Sequence, residues 1–301
     1  MVAEKAATRT EPGPDRFVLG ERRRAASPAV PIDTGTGPAV LLLHGQPGGG
    51  KDWQGLADLL AEEFRVVAPD RPGWGGNPRP ATGLRSNAEA LARMLSLLEL
   101  DPPGAAVVVG HSLGGGVAIE LALSRPDLVG ALVLVGSVGV EGALGGMDRL
   151  LAVPVLGDGV VRAGAAAVTR GVRTLTRLSQ LREGGPIAEL AARSGVLRAV
   201  FAEGRRGFGE RDRQSFLVEQ RALLTETASI ERRLSRLRVG TAVVHGGGDH
   251  VVPVSGAIEL AAAIPGAELV VRAGAGHRLP FEEPEVLAAV VRRYARLAGR
   301  S

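Results

Sequence analysis

The sequence predicts an α/β fold: a mostly parallel sheet covered by helices on both faces and interrupted by one helical insertion. Three observations carry that reading. Short, nearly solid apolar runs recur at 39–43, 65–69, 105–109, 129–135, 241–245 and 268–272, with helical patterns between them. A strand buried on both faces has no polar side to show, so it reads solid rather than alternating. The alternation stops over 139–238, where strands vanish and Arg-studded helical segments take over, and then resumes. Finally, the run at 105–109 leads directly into Gly110-His111-Ser112-Leu113-Gly114 and a helical pattern, which puts a serine in a strand-to-helix turn.

The first 15 residues mix charges with Pro and Gly and lack an apolar core, so a flexible tail is expected rather than a signal peptide. Weak edge strands are expected at 17–19 and 29–33, with a turn at Gly35-Thr36-Gly37-Pro38. Strand 39–43 ends in the glycine loop His44-Gly45-Gln46-Pro47-Gly48-Gly49-Gly50. Helical period follows over 53–64, with Asp52 as its expected N-cap. Strand 65–69 closes on Asp70-Arg71-Pro72-Gly73-Trp74-Gly75-Gly76. A helix is expected from Ser86 to about Glu99, with Glu89 completing a capping box. Later helices are expected at 255–264 and 284–297. The block between the strands at 129–135 and 241–245 falls on the rim where open α/β sheets bind ligands, so it should act as a cap or lid. The expected organisation is a tail over 1–15, a core from 16–138 and 239–301, and a cap over 139–238.

Composition removes several function classes. The chain has no cysteine, which excludes disulfides, thiolate metal sites and cysteine nucleophiles. Its five histidines show no metal-binding spacing, so no metal is expected. A net charge of +4 could suggest nucleic acid, but the basic residues are scattered and aromatics are only 3%, too few for a stacking platform. No nucleic-acid partner is expected. No long apolar run lacks a charge, so no membrane span is expected, and the expected location is cytoplasmic.

The pentad alone carries little, because 43 glycines in 301 residues make a chance match easy. Its context carries more. A serine in a sharp strand-to-helix turn projects its hydroxyl clear of the sheet at the positive end of the helix. That hydroxyl needs a base, and the base needs an orienting carboxylate. On such a sheet the partners follow in the order Ser, acid, His, each after a later strand. Asp249 follows TAVVHGGG and His277 follows ELVVRAGAG. Ser112, Asp249 and His277 are therefore the candidate nucleophile, acid and base. His44, His111, His245 and His250 fit the base role less well by position. The backbone N–H groups of Leu113, at the start of the elbow helix, and of Gln46, in the glycine loop, are the candidate oxyanion donors.

The glycine loop has a second reading. Residues 45–51, GQPGGGK, match most of a phosphate-binding loop. Asp52 stands where such a loop needs a Ser or Thr hydroxyl, and a nucleotide site would leave Ser112, Asp249 and His277 unexplained.

HGQPG at 44–48, DRPGWGG at 70–76, GHSLGG at 110–115, GGGDHVVP at 246–253 and AGHRLPFEEPE at 275–285 together resemble the α/β-hydrolase superfamily. The resemblance covers about 35–137 and 241–297. It implies an eight-stranded, mostly parallel sheet with one early antiparallel strand, a cap inserted after the sixth strand, the same Ser-Asp-His set, and no cofactor. Within these motifs His111, Trp74 and Val251 are expected to contact substrate. The HGxPG and DRPGWG forms resemble epoxide hydrolases and haloalkane dehalogenases, which use Asp as nucleophile. Ser112 departs from them and points to acyl transfer to water: an esterase, lipase-like enzyme, lactonase, thioesterase or C–C bond hydrolase, with perhydrolases also similar. The other class is a non-catalytic receptor on the same fold, and sustained turnover of an aryl ester separates it from an enzyme.

The most apolar part of the cap is 150–168, interrupted by Pro154 and Gly157. Two readings stand for it: an ordinary helix pair packed on the sheet rim, or a lid whose apolar underside lines an acyl pocket and opens at a lipid surface.

Overall fold

The solid apolar runs form the centre of one sheet. The computed structural model describes residues 30–98, 106–164 and 209–299. Strands β1 (Ile32–Thr34), β2 (Ala39–Leu43), β3 (Arg65–Ala68), β4 (Ala106–His111), β5 (Val129–Val135), β6 (Gly240–Gly246) and β7 (Glu268–Arg272) pair in the order β1-β3-β2-β4-β5-β6-β7. β1 is antiparallel to β3, and every other pairing is parallel. The described residues thus supply seven strands where the resemblance implied eight. The strand expected at 17–19 and the tail over 1–15 lie outside the described residues.

Helices cover both faces. On one lie α2 (Leu84–Leu97), α3 (Leu113–Ser124) and α6 (Val254–Ala263), packed on Leu41, Leu43, Val108, Leu132, Leu134 and Val243. On the other lie α1 (Gln54–Leu60) and α8 (Pro284–Ala298), packed on Val40, Leu42, Val107, Val109, Val133 and Val244. Neighbouring residues of one strand belong to opposite clusters, which is the period-2 alternation of a strand whose two faces are both dry. Each buried side chain contributes about 1.5–3 kcal/mol relative to exposure. Helix caps contribute about 0.5–2 kcal/mol each. Packing therefore sets the strand positions, and caps only trim the ends.

The caps differ from expectation for that reason. The first helix is entered through a 3-10 turn, Gly50–Trp53, and Asp52 sits within it, accepting the Gly49 N–H at 2.8 Å. Asp52 thus caps from inside the turn rather than from ahead of it. α2 starts at Leu84, not at Ser86. Its Arg85 N–H goes to the carboxylate of Glu226 at 2.9 Å, and the Asn87 amide donates to Thr82 O and Gly83 O. A tertiary partner has replaced the local capping box through Glu89.

Between β5 and β6 the described residues form a 3-10 turn at Glu141–Ala143, α4 (Gly146–Ala152), a helical stretch over 156–164 and α5 (Glu210–Glu231). α5 is 22 residues long and buries Leu217, Glu219, Gln220 and Leu223. A short helix α7 (Leu279–Glu282) follows the loop after β7.

Strand register aligns the C-terminal ends of the sheet. Leu43 pairs with Gly110, His111 with Val135, Val135 with Val244, and Gly246 with Arg272. The loops after β2, β4, β5, β6 and β7 therefore emerge on one rim. The chain winds one way from β2 through β3 and the other way from β4 onward, so the switch point lies between β2 and β4. Open α/β sheets bind ligands in that crevice.

Candidate active site

Ser112 lies at the switch point, between β4 and α3. Its backbone has φ 54° and ψ −123°, a region that non-glycine residues occupy at a cost of about 1–3 kcal/mol. Three backbone bonds hold it there. Ser112 N–H donates to Val135 O at 3.0 Å, and Ser112 O accepts from Gly115 N at 3.0 Å and Val138 N at 3.3 Å. Gly110 is required by the same turn, because a Cβ there would lie 2.6 Å from Gly114 O and from the Gly115 Cα. The Leu113 N–H opens α3 and has no acceptor inside the helix, so it is a free donor beside the serine.

Asp249 and His277 meet on the same rim. His277 Nδ1–H donates to Asp249 Oδ2 at 2.7 Å. That tautomer leaves Nε2 as an acceptor. Asp249 Oδ1 takes two backbone donors, Val251 N at 2.8 Å and Val252 N at 2.9 Å. Burial pushes the Asp249 carboxyl up, but the bonds from His277, Val252 and Val251 outweigh it and hold the group below its ordinary range. The pair packs over Gly136, the residue after β5. A Cβ at Gly136 would lie 3.3 Å from both Asp249 Oδ2 and His277 Nδ1.

Two further histidines brace this pair. Burial, with the neighbouring His277, drives the His111 imidazole down to about 3, so it is neutral. Its Nε2–H donates to His277 O at 2.9 Å, and the two rings lie tilted at 43° with centroids 4.7 Å apart. His245 is fully buried, donates Nε2–H to Val252 O at 3.0 Å and stands 3.6 Å from Asp249 Oδ2. His250 next to the acid is exposed.

The glycine loop forms the opposite wall. Gly45 lies against the serine: a Cβ there would be 2.9 Å from Ser112 Cβ. His44 is buried and neutral, its pKa held well below 6.5 first by desolvation and then by Arg71. It accepts Arg71 N–H on Nε2 at 3.0 Å and donates Nδ1–H to Gly45 O at 2.8 Å. The Arg71 guanidinium donates to His44 O at 2.9 Å and Gly45 O at 2.8 Å, and it pairs with Glu219 of α5 through both nitrogens. Both side chains are 0% exposed. Trp74 is buried, and its indole N–H donates to Glu219 Oε2 at 3.0 Å. The polar edge of Trp74 is thus engaged by Glu219. Val251, by contrast, is 61% exposed beside Asp249.

The loop's resemblance to a phosphate cradle ends at its amides. Gly49 N–H is taken by Asp52 and Gly50 N–H by Asp70 Oδ1, at 2.8 Å each. Carboxylates fill the positions a phosphate would need. Among the described residues no group of three His, Asp or Glu could hold a metal ion, and no helix is long and apolar enough to cross a membrane.

Position in sequence singled out Ser112, Asp249 and His277 as candidates, and the structure brings them to one rim. It missed Glu219, Gln220 and the bracing roles of His111 and His245. The motif DRPGWGG contained Arg71 and Trp74 but gave no hint that they pair with a residue 148 positions from Arg71.

Comparisons with known proteins agree with this fold. Residues 38–284 match the family model for the alpha/beta hydrolase fold. A 2-hydroxy-6-oxononadienedioate/2-hydroxy-6-oxononatrienedioate hydrolase of Burkholderia vietnamiensis is 30% identical over 273 residues, covering 88% of this chain and 89% of that protein. A 2-hydroxymuconate semialdehyde hydrolase of Pseudomonas putida is 29% identical over 271 residues, covering 87% and 88%. Among solved structures, Est816, described as an N-acyl homoserine lactone degrading enzyme, is 25% identical with a TM-score of 0.64, covering 87% of this chain and 95% of that one. With a strained serine at the switch point of a sheet of this topology, and a family model spanning most of its length, the chain belongs to the alpha/beta hydrolase fold family.

Proposed function

We propose that this chain hydrolyses a carboxylic ester or related acyl bond of a small, hydrophobic substrate through an acyl-enzyme on Ser112. The observation that carries the reading is the 2.7 Å bond from His277 Nδ1 to Asp249, on the same rim as a serine strained into an elbow. His277 Nε2 takes the hydroxyl proton as Ser112 Oγ attacks the carbonyl carbon, and the carbonyl π pair moves onto oxygen. The N–H groups of Leu113 and Gln46 receive that oxyanion. As it collapses, the bond to the leaving group breaks and the leaving group takes the proton from His277. Water then repeats the sequence and releases the acid. Asp249 fixes the tautomer and stabilises the imidazolium. No cofactor enters these steps.

The described residues between β5 and β6, 140–164 and 209–231, serve as a cap on this rim, with α5 as the anchored part. The described part of the apolar segment, 150–164, exposes Val153, Val155 and Leu156; the remainder to 168 lies outside the described residues.

A second reading is favoured by the two relatives named as a 2-hydroxymuconate semialdehyde hydrolase and a 2-hydroxy-6-oxononadienedioate/2-hydroxy-6-oxononatrienedioate hydrolase: the bond cleaved is C–C, next to a carbonyl. A fluorophosphonate tests the shared core. It should add to Ser112, and Ser112→Ala should lose both labelling and turnover. Full-rate labelling of the Ala variant would remove Ser112 from the role. Turnover of aryl esters set against a vinylogous 1,5-diketone then separates the two bond types.

A further inference from the structure

We propose that Arg71 and Glu219 are positioning residues that set the oxyanion hole, and that α5 thereby couples the cap to the hole. The proposal rests on the serine-hydrolase reading above. The Gly45–Gln46 peptide is trans, so its C=O and N–H point in opposite directions. Its carbonyl is held by two donors, His44 Nδ1–H and Arg71 Nη2–H, both at 2.8 Å. Fixing the carbonyl on the buried side aims the Gln46 N–H at the other side, and that N–H has no acceptor among the described residues. The Cα of Gly45, in the same peptide unit, already lies against Ser112.

Arg71 can hold two carbonyls only while its own charge is answered. Glu219 does this from α5, with no solvent contact, and the Trp74 indole holds the carboxylate from a third direction. The next residue on α5 grips the loop as well. Gln220 Nε2 donates to Asp148 Oδ1 at 2.8 Å, which turns its Oε1 to accept Gln46 Nε2 at 2.9 Å. Consecutive residues of one cap helix therefore act on Gln46: Glu219 through Arg71 on the Gly45 carbonyl of the Gly45–Gln46 peptide, and Gln220 directly on the Gln46 side chain.

A pair of substrates tests this. An oxyanion hole stabilises O⁻ far better than the S⁻ formed from a thionoester, so a displaced donor slows the ester and spares the thionoester. The same aryl acyl group is presented as ester and as thionoester to the unmodified protein and to Arg71→Lys and Glu219→Gln. Deleting a donor outright costs about 10²–10³ in kcat. Displacing one should cost the ester about tenfold to a hundredfold in kcat, with KM little changed and thionoester kcat preserved. Trp74→Phe removes only the indole donor and gives a milder form of the same ratio change should Arg71→Lys fail to fold. Equal loss on both substrates, or no loss on either, in variants with wild-type near-UV circular dichroism would overturn the proposal while leaving the serine reading intact. Absence of fluorophosphonate labelling at Ser112 in the unmodified protein would overturn both.

Discussion

On one side of Ser112 stand Asp249 and His277, carried by loops after β6 and β7. On the other stand the glycine loop and the Arg71–Glu219 pair. The first side lies toward the exposed edge of the sheet: the His277 side chain is 17% exposed, and its partners are one carboxylate and one backbone-bonded histidine. The second side is dry, and the Arg71–Glu219 pair is sealed within it. A base has to gain and lose a proton at each step, so it needs access and an adjustable environment. A hole has to be in place before charge develops, so it gains from rigidity. On the proposed reading the two walls do different work, which matches their different construction.

Removing the acid strikes the first wall hardest. Asp249→Asn should lower kcat by about 10⁴ by favouring the wrong tautomer of His277, with the fold intact. Aryl-ester turnover checks it. A rate within about tenfold of the unmodified protein would move the acid role elsewhere, first to Glu141 in the turn after β5.

The second wall should answer in stability. Glu219→Leu leaves Arg71 charged, buried and unpaired, and breaking such a pair costs about 3–5 kcal/mol. Urea unfolding followed by circular dichroism measures it. A loss below about 1 kcal/mol, the range of exposed pairs, would mean that Arg71 reaches water and that the two walls are less different than they look.

The smallest effect concerns pH and the histidine bracing the first wall. Folding lowers the His111 pKa from 6.5 to about 3, chiefly by burial. Between those values the unfolded chain binds more protons, so stability is highest above the ordinary histidine value and falls as pH drops. At pH 5 His111 alone should cost about 2 kcal/mol. His44, also held low by burial, acts with the same sign, and Asp249 adds to the loss at lower pH. In His111→Gln the drop in stability between pH 7 and pH 5 should shrink by about that amount. An unchanged slope would place the acid sensitivity on the His44 side.

Much of the core was legible because its signals are local. The runs at 39–43 and 129–135 appear as strands with those same bounds, since a strand covered on both faces must be apolar throughout; the run at 268–272 also keeps its bounds, as the sheet's edge strand. The elbow was legible because only a glycine-flanked residue can sit between that strand and that helix. Helix starts were less legible. Asp52 and Glu89 both looked like local caps, yet the Arg85 amide finds Glu226 instead, and no local pattern records a partner 141 residues away.

By itself, then, the sequence determined the alternation of strands and helices, the break between β5 and β6, and the order Ser, Asp, His at strand ends. These follow from periodicity and turn chemistry, which act over a few residues. Tertiary structure alone decided that Glu219 closes on Arg71, that His111 supports His277, and that Trp74 is buried against Glu219. The two contacts of Glu219 depend on the path of α5 across the rim, and that of His111 on the loop after β7. A buried charge can be satisfied by any residue that the packing brings within reach, so its partner is chosen by the fold rather than by spacing along the chain.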